Sequence, residues 1–297
     1  MIRSHAVALL LLCLLAIAPP ASGQRPELGA ELAVSGLVFD NFFQAPDHLP
    51  KESITAGAVD ARVGPRLGNG SLWVYGRAGA TSYEGLDTSV LVGGGVMVDA
   101  SRHALDLQVT RETDRPTLDV GDEVEPAEVV RANGEYGYRV TDDWELKALG
   151  EFESHDFEVS DGQSGDLATA GGAVRFRGWG YDFSPEVGAR WGRRDANDPG
   201  EDYDQSAVYV QVRSVPVSPL YLSFRYRHRT RDYTVADPLA DNAGRSDDRD
   251  QLVALADYRI AGPVSLFGYW AWETADSSKE TRVFTTQYLI VGVRARW

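Results

Sequence analysis

The chain has 297 residues, 29 Lys and Arg against 44 Asp and Glu, a formal net charge of −15 and 43% hydrophobic residues. Such an acidic balance argues against a nucleic-acid partner, because phosphate binding relies on clustered Lys and Arg. The single cysteine, Cys13, rules out a disulfide within the chain.

The N-terminal stretch MIRSHAVALLLLCLLAIAPPASGQ has an early cation at Arg3, an apolar run from Ala6 to Ala18 and the small-x-small site Ala21-Ser22-Gly23. It reads as a secretory signal over residues 1–23, leaving 24–297 as one mature domain without cysteine. Leu12 before Cys13 speaks against lipidation. No later segment approaches the roughly 20 consecutive apolar residues of a spanning helix.

From Leu28 onward the pattern is alternation. Fourteen runs are expected as strands, at about 28–42, 52–64, 71–84, 88–100, 103–115, 127–140, 143–157, 166–180, 182–195, 203–215, 218–233, 249–261, 263–275 and 283–297. Tight connections such as DASRH, VTDDW, GWGYD, VPVSP and IAGP alternate with long polar ones such as DRPTLDVGDEVEP and TVADPLADNAGRSDD; EGLD is a short exception on the long side. The fold class is therefore all-β: a single antiparallel transmembrane β-barrel of about fourteen strands, with short periplasmic turns and longer acidic extracellular loops. Lipid offers no hydrogen-bond partners, so the last strand must pair with the first.

Side-chain parity assigns the two faces. In the eleventh run Leu220, Leu222, Phe224 and Tyr226 oppose Arg225, Arg227, Arg229 and Arg231. An Arg facing lipid at the midplane costs roughly 2–4 kcal/mol, so the arginines are expected to face a lumen. The same parity adds Arg175, Arg177, Arg190, Arg194 and Arg213 to a basic arc, and sets Asp106, Glu112, Glu135, Glu145, Glu151 and Glu153 in an acidic arc, with Arg131, Arg139 and Lys147 as local exceptions. Separate arcs would create a transverse field that biases ion passage. Trp73 and Tyr75 share the parity of Arg77, and could form a sliding surface for sugars. Trp144, Trp179, Tyr181, Trp270 and Trp272 are expected near strand ends as an interfacial girdle.

The last residues, QYLIVGVRARW, set Leu289, Val291, Val293 and Trp297 on one face and Tyr288 and Arg294 on the other. An alternating strand with an aromatic C-terminus resembles the assembly signal of bacterial outer-membrane β-barrels. VFDNFFQAPD at 38–47 is similar to the opening strand and loop of β-barrel porins, where an Asp-Asn pair precedes an aromatic residue. Length and strand count resemble monomeric fourteen-strand porins, and also the barrel part of surface lipoprotein assembly modifiers, whose preceding helical repeats are missing here. The resemblance implies a Gram-negative outer-membrane protein exported through the periplasm, with lipid, lipopolysaccharide, the barrel assembly machinery and diffusing solutes as partners.

Enzymatic readings lack residues. An outer-membrane hydrolase needs a histidine beside a carboxylate or serine; His48 and His103 read as solvated, His155 as a rim residue near Glu153 and Asp156, and His228 has no serine beside it. DANDPGEDYD departs from a calcium loop at Pro199 and Ser206. The expectation is a non-enzymatic pore with no cofactor and no metal, passing small anionic or polar solutes through an Arg-lined lumen. The alternatives are a conduit for an anionic polysaccharide and an occluded structural or assembly barrel.

Overall fold

A computed structural model describes residues 27–297 apart from 42–43, 45–52, 69–70, 118–124, 159, 180–182, 236–241 and 280–281. The expected signal segment, His48 and Tyr181 lie outside the described residues. The strands are β1 (Glu27–Asp40), β2 (Ile54–Leu67), β3 (Leu72–Tyr83), β4 (Ser89–Ala100), β5 (His103–Thr117), β6 (Glu125–Arg139) and β7 (Trp144–Phe157). They continue as β8 (Gly165–Phe176), β9 (Phe183–Ala196), β10 (Tyr203–Val217), β11 (Leu220–Tyr233), β12 (Ser246–Ala261), β13 (Val264–Ser277) and β14 (Phe284–Arg296).

Every strand pairs antiparallel with its sequence neighbours, and β1 pairs with β14, so the sheet is a closed fourteen-strand barrel. The closing register matches Val34 with Val293 and Phe39 with Tyr288. Beyond the ladder, Trp297 donates its N–H to the Ala30 carbonyl at 2.8 Å and accepts from the Ala30 N–H at 3.2 Å. Closure removes both sheet edges, which is the only way a sheet satisfies all its backbone groups in lipid.

Alternation along each strand sorts the chemistry. The outward series is apolar: Val34, Val63, Val92, Leu146, Val187, Val208, Phe224 and Leu289 are all exposed on the barrel wall. The inward series is charged and largely covered, with Glu145, Lys147, Glu186, Arg231 and Arg249 buried. This inverts a soluble barrel, whose apolar face would be inside. Among the described residues no helix is long and apolar enough to cross a membrane.

Two departures from simple alternation matter. The eighth strand ends at Phe176 rather than near 180, because Gly178 and Trp179 already form the turn into β9. Between Glu112 and Arg115 the β5–β6 ladder shifts register, with Asp114 at φ 53°. A bulge inserts an unpaired residue and re-aims the side chains beyond it. Here it turns Arg115 onto the inner face, 3.8 Å from Glu112 and 3.5 Å from Glu153.

Candidate functional site

The barrel interior is the candidate site, and its wall is built strand by strand from the inward parity. Arg225, Arg227, Arg229 and Arg231 of β11 all point into it, while Phe224 and Tyr226 face out with 52% and 44% of their surface exposed. The upper two arginines are engaged: Arg229 pairs with Glu273 at 3.6 Å, and Arg231 donates to Gln205 Oε1 at 3.3 Å and lies 4.7 Å over the Tyr203 ring. The lower two, with Arg213 of β10, have no hydrogen-bond or ion-pair partner among the described residues. Arg190 pairs with Glu151 at 3.1 Å, and Arg194 donates to the Gln163 carbonyl beside the Tyr203 ring.

On the other side of the wall the carboxylates are mostly neutralised. Glu153 takes ion pairs from Arg131 and Arg115, and the His155 Nε2 lies 2.9 Å from it. Glu112 accepts from the Ser89 hydroxyl at 2.8 Å. Asp106 has no bonded partner among the described residues and lines the lumen freely.

The two expected arcs interlock rather than face each other. Glu145 of β7 pairs with Arg177 at 3.0 Å and Arg175 at 3.6 Å, and Arg175 also reaches Glu186 of β9 at 2.7 Å. Lys147 is fully covered between Glu135 and Glu186, the latter at 3.0 Å. The Tyr209 hydroxyl donates to Glu186 at 2.9 Å. Tyr209 reaches it by lying flat over Gly188, where a Cβ would fall 2.5 Å from the ring. Ion pairs between the two sets offset part of the transverse field that fully separate arcs would make. Arg213, Arg225 and Arg227 make no ion pair or hydrogen bond in this part of the wall among the described residues.

Cavities run along the axis and share walls. At the short-turn rim, one of about 960 Å³ meets another of about 740 Å³ at Arg294 and Arg296. The latter shares Glu135 with a cavity of about 210 Å³, lined by Arg190, Arg213, Arg225, Arg227 and Glu151. That one opens past Arg227 and Arg229 into a vestibule of about 380 Å³ toward the long loops. The arginines without ion pairs thus line the smallest of these spaces.

Several wall contacts lie outside the two expected arcs. Arg62 and Arg66 of β2 lie over the Tyr75 and Trp73 rings at 5.5 and 5.0 Å, and Arg77 donates to Asp60 at 2.7 Å. Arg294 bridges Asp257 at 3.0 Å and Glu31 at 3.4 Å, joining β12, β14 and β1. The i, i+2, i+6 spacing of Asp60, Arg62 and Arg66 was the available signal for the first group. Trp73 and Tyr75 face inward and are buried against these cations. Trp270 and Trp272 lie within β13, not at its ends, and face outward with Leu266. Tyr288 points inward, while Leu289, Val291 and Val293 are exposed outside and Trp297 ends the wall. His103 packs on Tyr136 and Tyr138 at the start of β5, and His228 sits outside, 3.0 Å from Asp250. In the loop after β9, Asp198 and Asp202 accept the N–H groups of Gly200 and Ala196.

Fold and wall together define a closed antiparallel barrel with an apolar exterior and a charged interior. No family model and no curated protein matches the sequence. Among solved structures, the chain is similar to an anion-selective porin from Comamonas acidovorans, at 9% identity and TM-score 0.47 over 92% of this chain and 100% of that one. Outer-membrane expressed OmpT of Vibrio cholerae gives 10% identity and TM-score 0.48 over 93% and 99%. The outer membrane protein OpdK from Pseudomonas aeruginosa gives 12% identity and TM-score 0.46 over 91% and 99%.

Proposed function

We propose that the protein is an outer-membrane channel of a Gram-negative bacterium through which small polar and anionic solutes diffuse passively. The closed ladder and the outward apolar series support insertion in lipid, where every backbone group needs an internal partner. Cavities that share lining residues from the short-turn rim to the long-loop side support a water-filled path rather than an occluded barrel. The observation that carries the reading is the trio Arg213, Arg225 and Arg227, which line the small central cavity of about 210 Å³ without an ion pair.

A guanidinium without a bonded carboxylate keeps more of its charge and its N–H donors for a passing ion. A ring of like charge at a narrow point lowers the barrier for the opposite sign and raises it for the same sign. Arg190 and Arg229 border the same space while bonded to Glu151 and Glu273, so they contribute shape more than charge. Because Arg225 and Arg227 have no anchoring bond, a solute displaces no protein contact when it passes.

The test is single-channel current from the refolded protein in a planar bilayer under a KCl gradient. Wild type is expected to conduct with a reversal potential on the chloride side. The triple variant Arg213→Ser, Arg225→Ser, Arg227→Ser is expected to move that potential toward zero. A silent wild type, with folding confirmed by a heat-dependent gel shift, would sink the channel reading; an unmoved potential in the variant would sink the assignment to these arginines.

A further inference from the structure

We propose that the small central cavity binds a phosphoryl group, as inorganic phosphate or a phosphate monoester, held by Arg213, Arg225, Arg227 and the Thr169 hydroxyl. This rests on the channel reading and names the solute class that the same wall selects.

All four side chains line one cavity of about 210 Å³, room for about seven waters. Thr169 of β8 is 8% exposed, and its hydroxyl has no hydrogen-bond partner among the described residues. The Arg225 Nε is likewise covered and unbonded. A buried polar group without a partner is unfavourable unless a ligand or solvent satisfies it. Hydroxyl and guanidinium together call for an acceptor inside this cavity.

Register shows that the neighbouring strands supply no carboxylate. Arg225 stands between Gln211 of β10 and Val253 of β12, and Arg227 between Tyr209 and Gln251. Arg213 stands between Ser184 of β9 and Ser223 of β11. Elsewhere on the wall cations are matched, Arg77 with Asp60, Arg175 with Glu145 and Glu186, Arg294 with Asp257 and Glu31. Two residues along one strand put the roots of Arg225 and Arg227 about 7 Å apart. Arg213 is the diagonal neighbour of Arg225 at about the same spacing, and like charges so placed repel. The two carboxylates in the cavity wall, Glu135 and Glu151, are taken by Lys147 and Arg190. Three guanidiniums in a row without an acid suit a counter-ion that arrives from solution.

Charge and shape select among anions. The cavity wall carries five arginines against Glu135 and Glu151, which matches a dianion better than a monoanion. A phosphoryl group carries about −1.5 to −2 near pH 7 and three acceptor oxygens that point in different directions. The donors here come from three strands, β8, β10 and β11. A carboxylate has two oxygens in one plane, which a single guanidinium satisfies bidentately. Chloride has one point of attachment. Each charge-assisted hydrogen bond gained over these competitors is worth about tenfold in affinity.

The experiment measures block of chloride current in the refolded wild-type channel at pH 8 and fixed ionic strength by inorganic phosphate, glycerol 3-phosphate and malonate, all dianionic there. Block by at least one of the two phosphates at a concentration about tenfold or more below malonate is the expected result. The tighter of the two names the source, free ion or monoester, and equal potency assigns the site to the phosphoryl group alone. A smaller advantage over malonate, or none, overturns the proposal. Loss of the advantage in Thr169→Val, or in Ser223→Asp, which sets a carboxylate opposite Arg213, supports the assignment; an advantage unchanged in both overturns it. The reversal potential in KCl reports on the channel reading separately. If the channel is silent, calorimetric titration of the same three anions into the folded barrel reads the site, and the same ranking decides. The wild-type ranking stands without either variant, so a variant that fails to fold does not remove the test.

Discussion

Lys147→Met isolates the buried charge network that holds β7 to β9. The Lys147 side chain is fully covered, and its ammonium lies 3.0 Å from Glu186. Two unit charges at that distance attract by about 5.5 kcal/mol at an effective dielectric of about 20. Removing the ammonium also removes its own desolvation cost, which is several kcal/mol for a buried ion. Glu186 is not orphaned, since Arg175 remains at 2.7 Å and the Tyr209 hydroxyl at 2.9 Å. Glu135, the other partner, has a side chain 44% exposed and is solvated by the lumen once released. The loss is therefore expected at about 2 kcal/mol, below the roughly 3–5 kcal/mol of a fully broken buried pair. Urea unfolding of the barrel in lipid vesicles, followed by tryptophan fluorescence, measures it. Adding Glu186→Gln to Lys147→Met should recover part of the loss, giving a coupling of about 1.5 kcal/mol in the double-mutant cycle. A Lys147→Met barrel within about 0.5 kcal/mol of wild type would refute the argument, since it would mean that Arg175 and Tyr209 alone satisfy Glu186.

Other consequences are accessible to simple assays. If Arg213, Arg225 and Arg227 set an anion preference, it should weaken as salt rises from 0.1 M to 1 M, where the screening length falls from about 10 Å to about 3 Å; a reversal potential independent of mean salt would point to size rather than charge. Phe224→Arg places a charge on the lipid face and should cost roughly 2–4 kcal/mol near the midplane, whereas Arg225→Ser, one residue on, should cost under about 1 kcal/mol because no bond is lost; equal losses would mean that the faces are misassigned. Glu201 lies in the turn Pro199–Glu201 after β9, where burial raises its pKa despite the Asn242 hydrogen bond and the nearby Arg194, Arg245 and Arg282. A raised carboxyl pKa means that the docked turn binds its proton more tightly than the free turn, so docking is strongest at acid pH and weakens as pH rises through the raised value. Hydrogen exchange at 200–202 and 242–245, corrected for intrinsic rate, should therefore quicken with pH in wild type and lose that dependence in Glu201→Gln; identical profiles would exclude Glu201 as the cause.

Much of the fold was legible because its signals are local. The alternation of Phe224, Arg225, Tyr226 and Arg227 reports two faces without reference to any other strand, and the rhythm of short and long connections reports an antiparallel meander. The candidate wall was legible in the same sense: parity alone put Arg175, Arg190, Arg213 and Glu145 on inner faces. Parity could not say which of these meet. It suggested separate arcs, but Glu145, Lys147, Arg175 and Glu186 come from three strands whose register brings opposite charges within ion-pair distance. It also missed Arg115, because the bulge after Glu112 changes the face of the residues beyond it.

The sequence by itself determined the strand number, the class of sheet and the face of nearly every side chain, because a strand repeats every two residues through local sterics alone. Only the tertiary structure decided which charges are spent on one another and which stay free, since that depends on register between strands. It alone joined Phe39 near the start of the chain to Tyr288 near its end across the closing seam. Contacts between residues so far apart in sequence follow from closing the barrel, and no pattern within either strand contains them.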